Sequence, residues 1–176
     1  MTALATACTS PPGPAPGPEP VPSATSSASP ACPQSGVLIT NGMVDTAMGL
    51  RAMTVEMINC GGQSYAVQGY PMVRVLDEDR NPLPVKVIDG TSSIAVIKGL
   101  DAPPKPVTLL PGQRAKAVLV WRNTVTDATV SPTTGKDLEI TPAGGQSPQI
   151  VSPNGGVDLG TTGRLGVSPW APLQED

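Results

Sequence analysis

The stretch QRAKAVLVWRN, residues 113–123, constrains the fold more than any other. Ala115, Ala117, Leu119 and Trp121 fall on one parity, and Lys116 and Arg122 on the other. Side chains on a strand alternate between faces, so this pattern reads as a strand with one buried side. Comparable runs recur along the chain, broken by Gly and Pro roughly every 8–12 residues, the spacing of an antiparallel sandwich. No stretch carries the 3.6-residue period of an amphipathic helix.

In MGLRAMTVEMINCGG (48–62), Met53, Val55 and Met57 share a face, with Arg51 at its exposed end. GYPMVRVLD (69–77) and LPVKVID (83–89) are further strands, the latter with Leu83, Val85 and Val87 alternating. SIAVI (93–97) and PVTLL (106–110) are short candidates, and DLEI, PQIVS and GRLGVSPW complete the set. Pro71 holds Tyr70 extended and opens its strand without donating to the ladder. Pro111-Gly112 has the chemistry of a type II turn between two strands. The expected fold is all-β, an antiparallel β-sandwich with an aliphatic and methionine core, since the chain has no Phe and four aromatics in all.

Residues 9–31 differ. They hold eight prolines and five serines, and nothing apolar larger than Val21. Such a segment buries too little apolar surface to offset its ordering entropy, so a disordered Pro/Ser-rich linker is expected ahead of the sandwich. At roughly 3.1 Å per residue it reaches at most about 70 Å. The expected organisation is a signal-peptide remnant at 1–7, a lipidated cysteine and linker at 8–31, and one β-sandwich domain at 32–176.

Three cysteines leave one unpaired, and Cys8 is the odd one. Leu4-Ala5-Thr6-Ala7-Cys8 resembles a bacterial lipobox, in which a signal peptidase cuts before a Cys whose thiol carries a diacylglycerol, so that the acylated cysteine becomes the new amino terminus. The residues before Cys8 carry no Lys or Arg and are too short for an apolar signal core, so they read as the remnant of a signal peptide. The competing reading is an exposed cysteine in a cytosolic tail, which that tail composition and two further cysteines disfavour. Cys32 and Cys60 pair if the chain is exported; in the cytosol they are two reduced buried thiols.

Several function classes are excluded. With no His, Ser-His-Asp and Cys-His sites cannot form. No Walker loop, nucleophile elbow or Rossmann fingerprint occurs. A net charge of −3 without a basic cluster speaks against nucleic acid. Asp77, Asp79 and Asn81 alternate like a calcium loop, but Pro82 and Ile88 stand where Gly and Glu are required, so a solvated turn is expected. Met43, Met48, Met53 and Met57 suggest a copper(I) site, though Met is also the filler a core without Phe needs. Tyr65, Tyr70 and Trp170 are candidates for a ligand-stacking platform, against a role in packing or in covering the sandwich edges. No catalytic residue, metal site or cofactor is expected, and the chain does not read as an enzyme.

Cys32, AMGLRAMTVEMINCGG, GYPMVRVLD, LLPGQRAKAVLVWRN and DLGTTGRLGVSPW, in that order, resemble one family. It is a secreted or lipoprotein domain widespread in high-GC actinobacteria, domain of unknown function four thousand two hundred and thirty-two. The resemblance covers 32–172. It implies an immunoglobulin-like sandwich, a Cys32–Cys60 disulfide and a place outside the cytoplasmic membrane. It carries no catalytic residues over. The expected role is a cell-envelope lipoprotein with a non-catalytic binding or structural sandwich, held to the membrane by lipid on Cys8 and facing an envelope protein or cell-wall glycan. The alternatives are a carbohydrate-binding module for wall polymers and a copper-handling protein.

Overall fold

The computed structural model describes residues 31–173; the lipobox, Cys8 and residues 9–30 of the expected linker lie outside the described residues, as do 174–176. The first strands are β1 (Val37–Ala47), β2 (Leu50–Asn59), β3 (Tyr65–Val67), β4 (Met72–Leu76) and β5 (Lys86–Asp89). Then come β6 (Val107–Leu109), β7 (Arg114–Arg122), β8 (Thr134–Gly135) and β9 (Asp137–Thr141). The last are β10 (Gln149–Val151), β11 (Val157–Asp158), β12 (Arg164–Val167) and β13 (Ala171–Leu173). The described residues contain no helix.

β7 is the hub. One of its edges pairs antiparallel with β2 from Leu50↔Arg122 to Ile58↔Arg114. Its other edge takes β12 and then β13. The main sheet runs β1-β2-β7-β12-β5, and a second sheet runs β10-β9-β4. Met53, Val55 and Met57 of β2 join Ala115, Ala117, Leu119 and Trp121 of β7 in one core with Val73, Val75, Leu138, Ile140 and Val151 of the second sheet. Two sheets sharing their inner faces form the expected β-sandwich. Two ribbons, β3-β6 and β8-β11, complete the pairing among the described residues.

The turn chemistry follows the residues. Met48 (φ 46°) and Gly49 (φ 77°) make the tight β1–β2 hairpin, whose two positive φ values match the twist of the flanking strands. Gln113 N donates to Leu110 O at 2.9 Å across Pro111-Gly112. Gly112 has φ 84°, as the third position of a type II turn requires.

Three local expectations are corrected. SIAVI is a turn-rich segment, not a strand: Ile94 N and Ala95 N both donate to Thr91 O. Its half-buried side chains, Ile94, Ala95 and Ile97, do not alternate as a strand face requires. LPVKVID enters the ladder only at Lys86, because Pro84 has no N–H and sits in a tight turn closed by Val85 N on Leu83 O at 2.7 Å. The main sheet is also not purely antiparallel, since β5 and β12 run parallel from Lys86↔Arg164 to Asp89↔Val167. Period-two alternation is the same in both directions, so the sequence pattern cannot carry strand polarity.

β1 was not signalled by periodicity. Val37 and Ile39 are buried, but the alternation dies at a bulge between Asn41 and Val44. Its outer edge is closed instead by a side chain. Gln149 Oε1 accepts from Ile39 N at 2.9 Å, and Nε2 donates to Val37 O at 3.0 Å. One amide thereby imitates a strand and ties the two sheets together.

Candidate functional site

β12 and β13 are a single course along β7, interrupted where residues 168–170 oppose only residues 117 and 118. This one-residue excess is a β-bulge, a device that re-aims side chains and is frequent beside binding sites. The local sequence explains it, because Pro169 cannot donate to the ladder. Ser168 fills the gap twice over. Its N–H donates to Val118 O at 2.9 Å, and its Oγ accepts from Val118 N at 2.8 Å. Trp170 leaves the ladder altogether, its backbone N–H donating to Gly69 O at 2.9 Å and its indole Nε1 to Pro142 O at 2.8 Å.

Over the bulge lies a groove of about 300 Å³. Pro169 and Pro172 form one side, Pro103 and Pro106 the other, with Lys105 and Lys116 on its lining. The second wall belongs to the segment that follows β5, and Asp101 holds that segment in shape. Its carboxylate accepts from Thr91 N, from Ser92 N at 3.2 Å and from Thr91 Oγ1 at 3.0 Å. These bonds, the Thr91 backbone N–H foremost, hold the Asp101 carboxyl below the usual carboxylate range. Arg122 Nε braces the same segment by donating to Ile94 O at 3.3 Å. Lys105 and Lys116 are the titratable side chains of the lining. Ser168 Oγ is already engaged with Val118 N and Pro169 O. Among the described residues the lining brings together no nucleophile–base pair.

A second hollow, about 350 Å³, lies against the disulfide. Cys32 and Cys60 are bonded, with Cα atoms 5.7 Å apart. Beside them Asn59, 1% exposed, donates from Nδ2 to Gln63 O and Leu109 O, each at 2.8 Å, and accepts from Gly61 N at 3.1 Å. Tyr65 lines this hollow, and its buried hydroxyl has no hydrogen-bond partner among the described residues. Burial raises the Tyr65 pKa above its ordinary value.

The three stacking candidates differ in burial. Trp170 is 2% exposed, so its ring is taken up by the core, neither lying open nor merely covering an edge. Tyr65 sits half-buried at the disulfide hollow, and Tyr70 is half-buried beside Pro71. The four methionines also separate. Met53 and Met57 are core residues, whereas Met43 and Met48 are 87% and 99% exposed. Asp77 spends Oδ1 on Asp79 N at 2.9 Å and Asn81 N at 2.8 Å, closing the acidic segment as a turn. Among the described residues no cluster of three or more His, Cys, Asp or Glu is placed to hold a metal. Cys8, the candidate lipid site, lies outside the described residues.

Sequence reasoning passed over Ser168, Asp101, Lys105 and Asn59. One signal for the bulge was available in Val167-Ser168-Pro169, where a proline stops an otherwise regular strand. The groove itself joins residues near positions 100, 117 and 170, which no local pattern links.

No curated protein and no solved structure gives a significant match to the chain. A family model does match, over residues 32–171, which takes in the disulfide, both sheets and the bulge. The chain therefore belongs to the family described as Domain of unknown function (DUF4232).

Proposed function

We propose that this protein is a cell-envelope lipoprotein, acylated at Cys8, whose sandwich binds a partner outside the cytoplasmic membrane without catalysing a reaction. The observation that carries this reading is the bulge groove: a shaped apolar hollow with Lys105 and Lys116 as its titratable groups. Apolar walls with a few placed polar groups are the ordinary composition of a binding site. The Cys32–Cys60 bond supports an oxidising compartment, and the Leu4–Cys8 segment supports an acyl anchor. Membership in the family is consistent with a secreted or actinobacterial setting, which the resemblance alone suggests.

Metabolic labelling with an alkyne fatty acid tests the anchor. The wild-type chain should take up label and sediment with membranes, and Cys8→Ala should lose both. A chain that remains in the cytosol with Cys32 and Cys60 open to thiol alkylation would overturn the proposal.

A further inference from the structure

The groove does not end at Pro172. A second hollow, about 480 Å³, has Pro172 in common with it. Val107 lines the first, and the next two residues of β6, Thr108 and Leu109, line the second. Ala171 lines the first and Leu173 the second. The two hollows therefore adjoin at Pro172, a trough that follows neighbouring residues of β6 and β13.

Its charge is one-sided. Lys105, Lys116 and Arg114 line the trough, and among the described residues no Asp or Glu does. Arg114 is engaged by Glu56 at 3.3 Å. Glu56 also stands opposite Lys116 in the β2–β7 register, yet Lys116, like Lys105, has no carboxylate within ion-pair distance among the described residues. Two exposed ammonium groups border the trough, whose Pro-lined part is mainly apolar, in a chain whose net charge is −3. Electrostatic complementarity favours a ligand carrying carboxylates.

The walls narrow the choice further. Proline lacks an N–H, so Pro103, Pro106, Pro169 and Pro172 offer apolar rings and carbonyl acceptors but no backbone donors. A fitting ligand brings its own donors, apolar side chains and acidic groups. An extended acidic peptide has all three. A sugar chain would want an open aromatic face, and the Trp170 indole is buried with its N–H committed to Pro142 O.

We infer that the trough along β6 and β13 binds a linear, acidic peptide segment of a partner protein, its apolar side chains set between the prolines and its carboxylates at Lys105 and Lys116. This deepens the binding role proposed above and rests on it.

The test uses the full chain carrying Cys8→Ala, with fluorescence anisotropy against three labelled probes: a decapeptide of alternating Glu and Leu, its Gln/Leu counterpart, and an oligogalacturonate. The Glu/Leu peptide should bind, and the Gln/Leu peptide should bind about tenfold more weakly or worse. The double variant Lys105→Glu, Lys116→Glu should weaken the acidic peptide by about tenfold or more, and high salt should weaken it as well. Both lysines are exposed, so the variant should keep the wild-type melting temperature; if it does not, Ala171→Trp, which fills the groove from an exposed position, should abolish binding instead. Oligogalacturonate binding without peptide binding, no binding of any probe, or peptide binding indifferent to the lysines and to Ala171→Trp would each overturn the inference. Such a failure with Cys8 labelling intact removes the ligand class and leaves the anchored role, whereas loss of labelling alone removes the anchored role and leaves the trough chemistry.

Discussion

Ser168 Oγ lies 2.8 Å from Val118 N and takes the place of a backbone carbonyl in the β7 ladder. Because a side chain does this, Pro169 and Trp170 are free to depart from the strand, and their departure shapes the groove. Ser168 is 4% exposed, so nothing from solvent would replace its oxygen. Ser168→Ala should therefore lower the unfolding free energy by about 1–3 kcal/mol, the range for leaving a buried donor unpaired. Urea unfolding measures the loss, and faster exchange at the Val118 amide would locate it. Unchanged exchange there would count against the hydroxyl's role.

Gln149 bridges the two sheets by closing the free edge of β1. Gln149→Ala should cost about 1–2 kcal/mol for two partly buried hydrogen bonds. It should also uncover a strand edge, the usual template for association. Size-exclusion chromatography over a concentration series should show larger species than the wild type; a monomeric variant of full stability would contradict the edge-closing role.

The Cys32–Cys60 bond spans 28 residues of sequence. The chain-entropy model assigns such a loop about 3–4 kcal/mol. Reduction, or the pair Cys32→Ser with Cys60→Ser, should shift the urea midpoint down by the corresponding amount without changing the sheet signal in circular dichroism. The midpoint should respond to reductant in the wild type and not in the double variant.

Asp101 ties Thr91 and Ser92 to the far end of their loop. Its folded-state pKa lies below the unfolded value. The stabilisation is thus fully present above about pH 4 and is lost as pH falls through the folded-state pKa. Wild type and Asp101→Asn should differ in melting temperature at pH 6 and converge as pH falls through the folded-state pKa. Chemical shifts of the Thr91 and Ser92 amides should move over the same acid range, and amides that stay still would separate the loop from this carboxylate.

The Tyr65 hydroxyl is buried and has no hydrogen-bond partner among the described residues. Tyr65→Phe removes a polar group that gains nothing from the fold, so stability should hold or rise by about 1 kcal/mol. The wild type should also lose stability as pH rises past about 10, since its folded state resists ionising a phenol that the unfolded chain ionises freely. The Phe variant should lack that part of the alkaline transition.

The amino-acid sequence by itself determined the all-β class, the buried face of β7, the shared face of Met53, Val55 and Met57, and the Pro111-Gly112 turn. These are local properties: alternation reports which side of a strand meets the core, and Pro and Gly restrict the backbone dihedrals of their own neighbourhood. The tertiary structure alone decided that β5 runs parallel to β12, that β1 is closed by a glutamine, and that Trp170 turns into the core. It also decided the trough, by bringing Lys105, Lys116 and Pro172 together from three separate segments. Polarity, edge closure and cavity lining depend on which distant residues meet, and no period along the chain encodes that meeting.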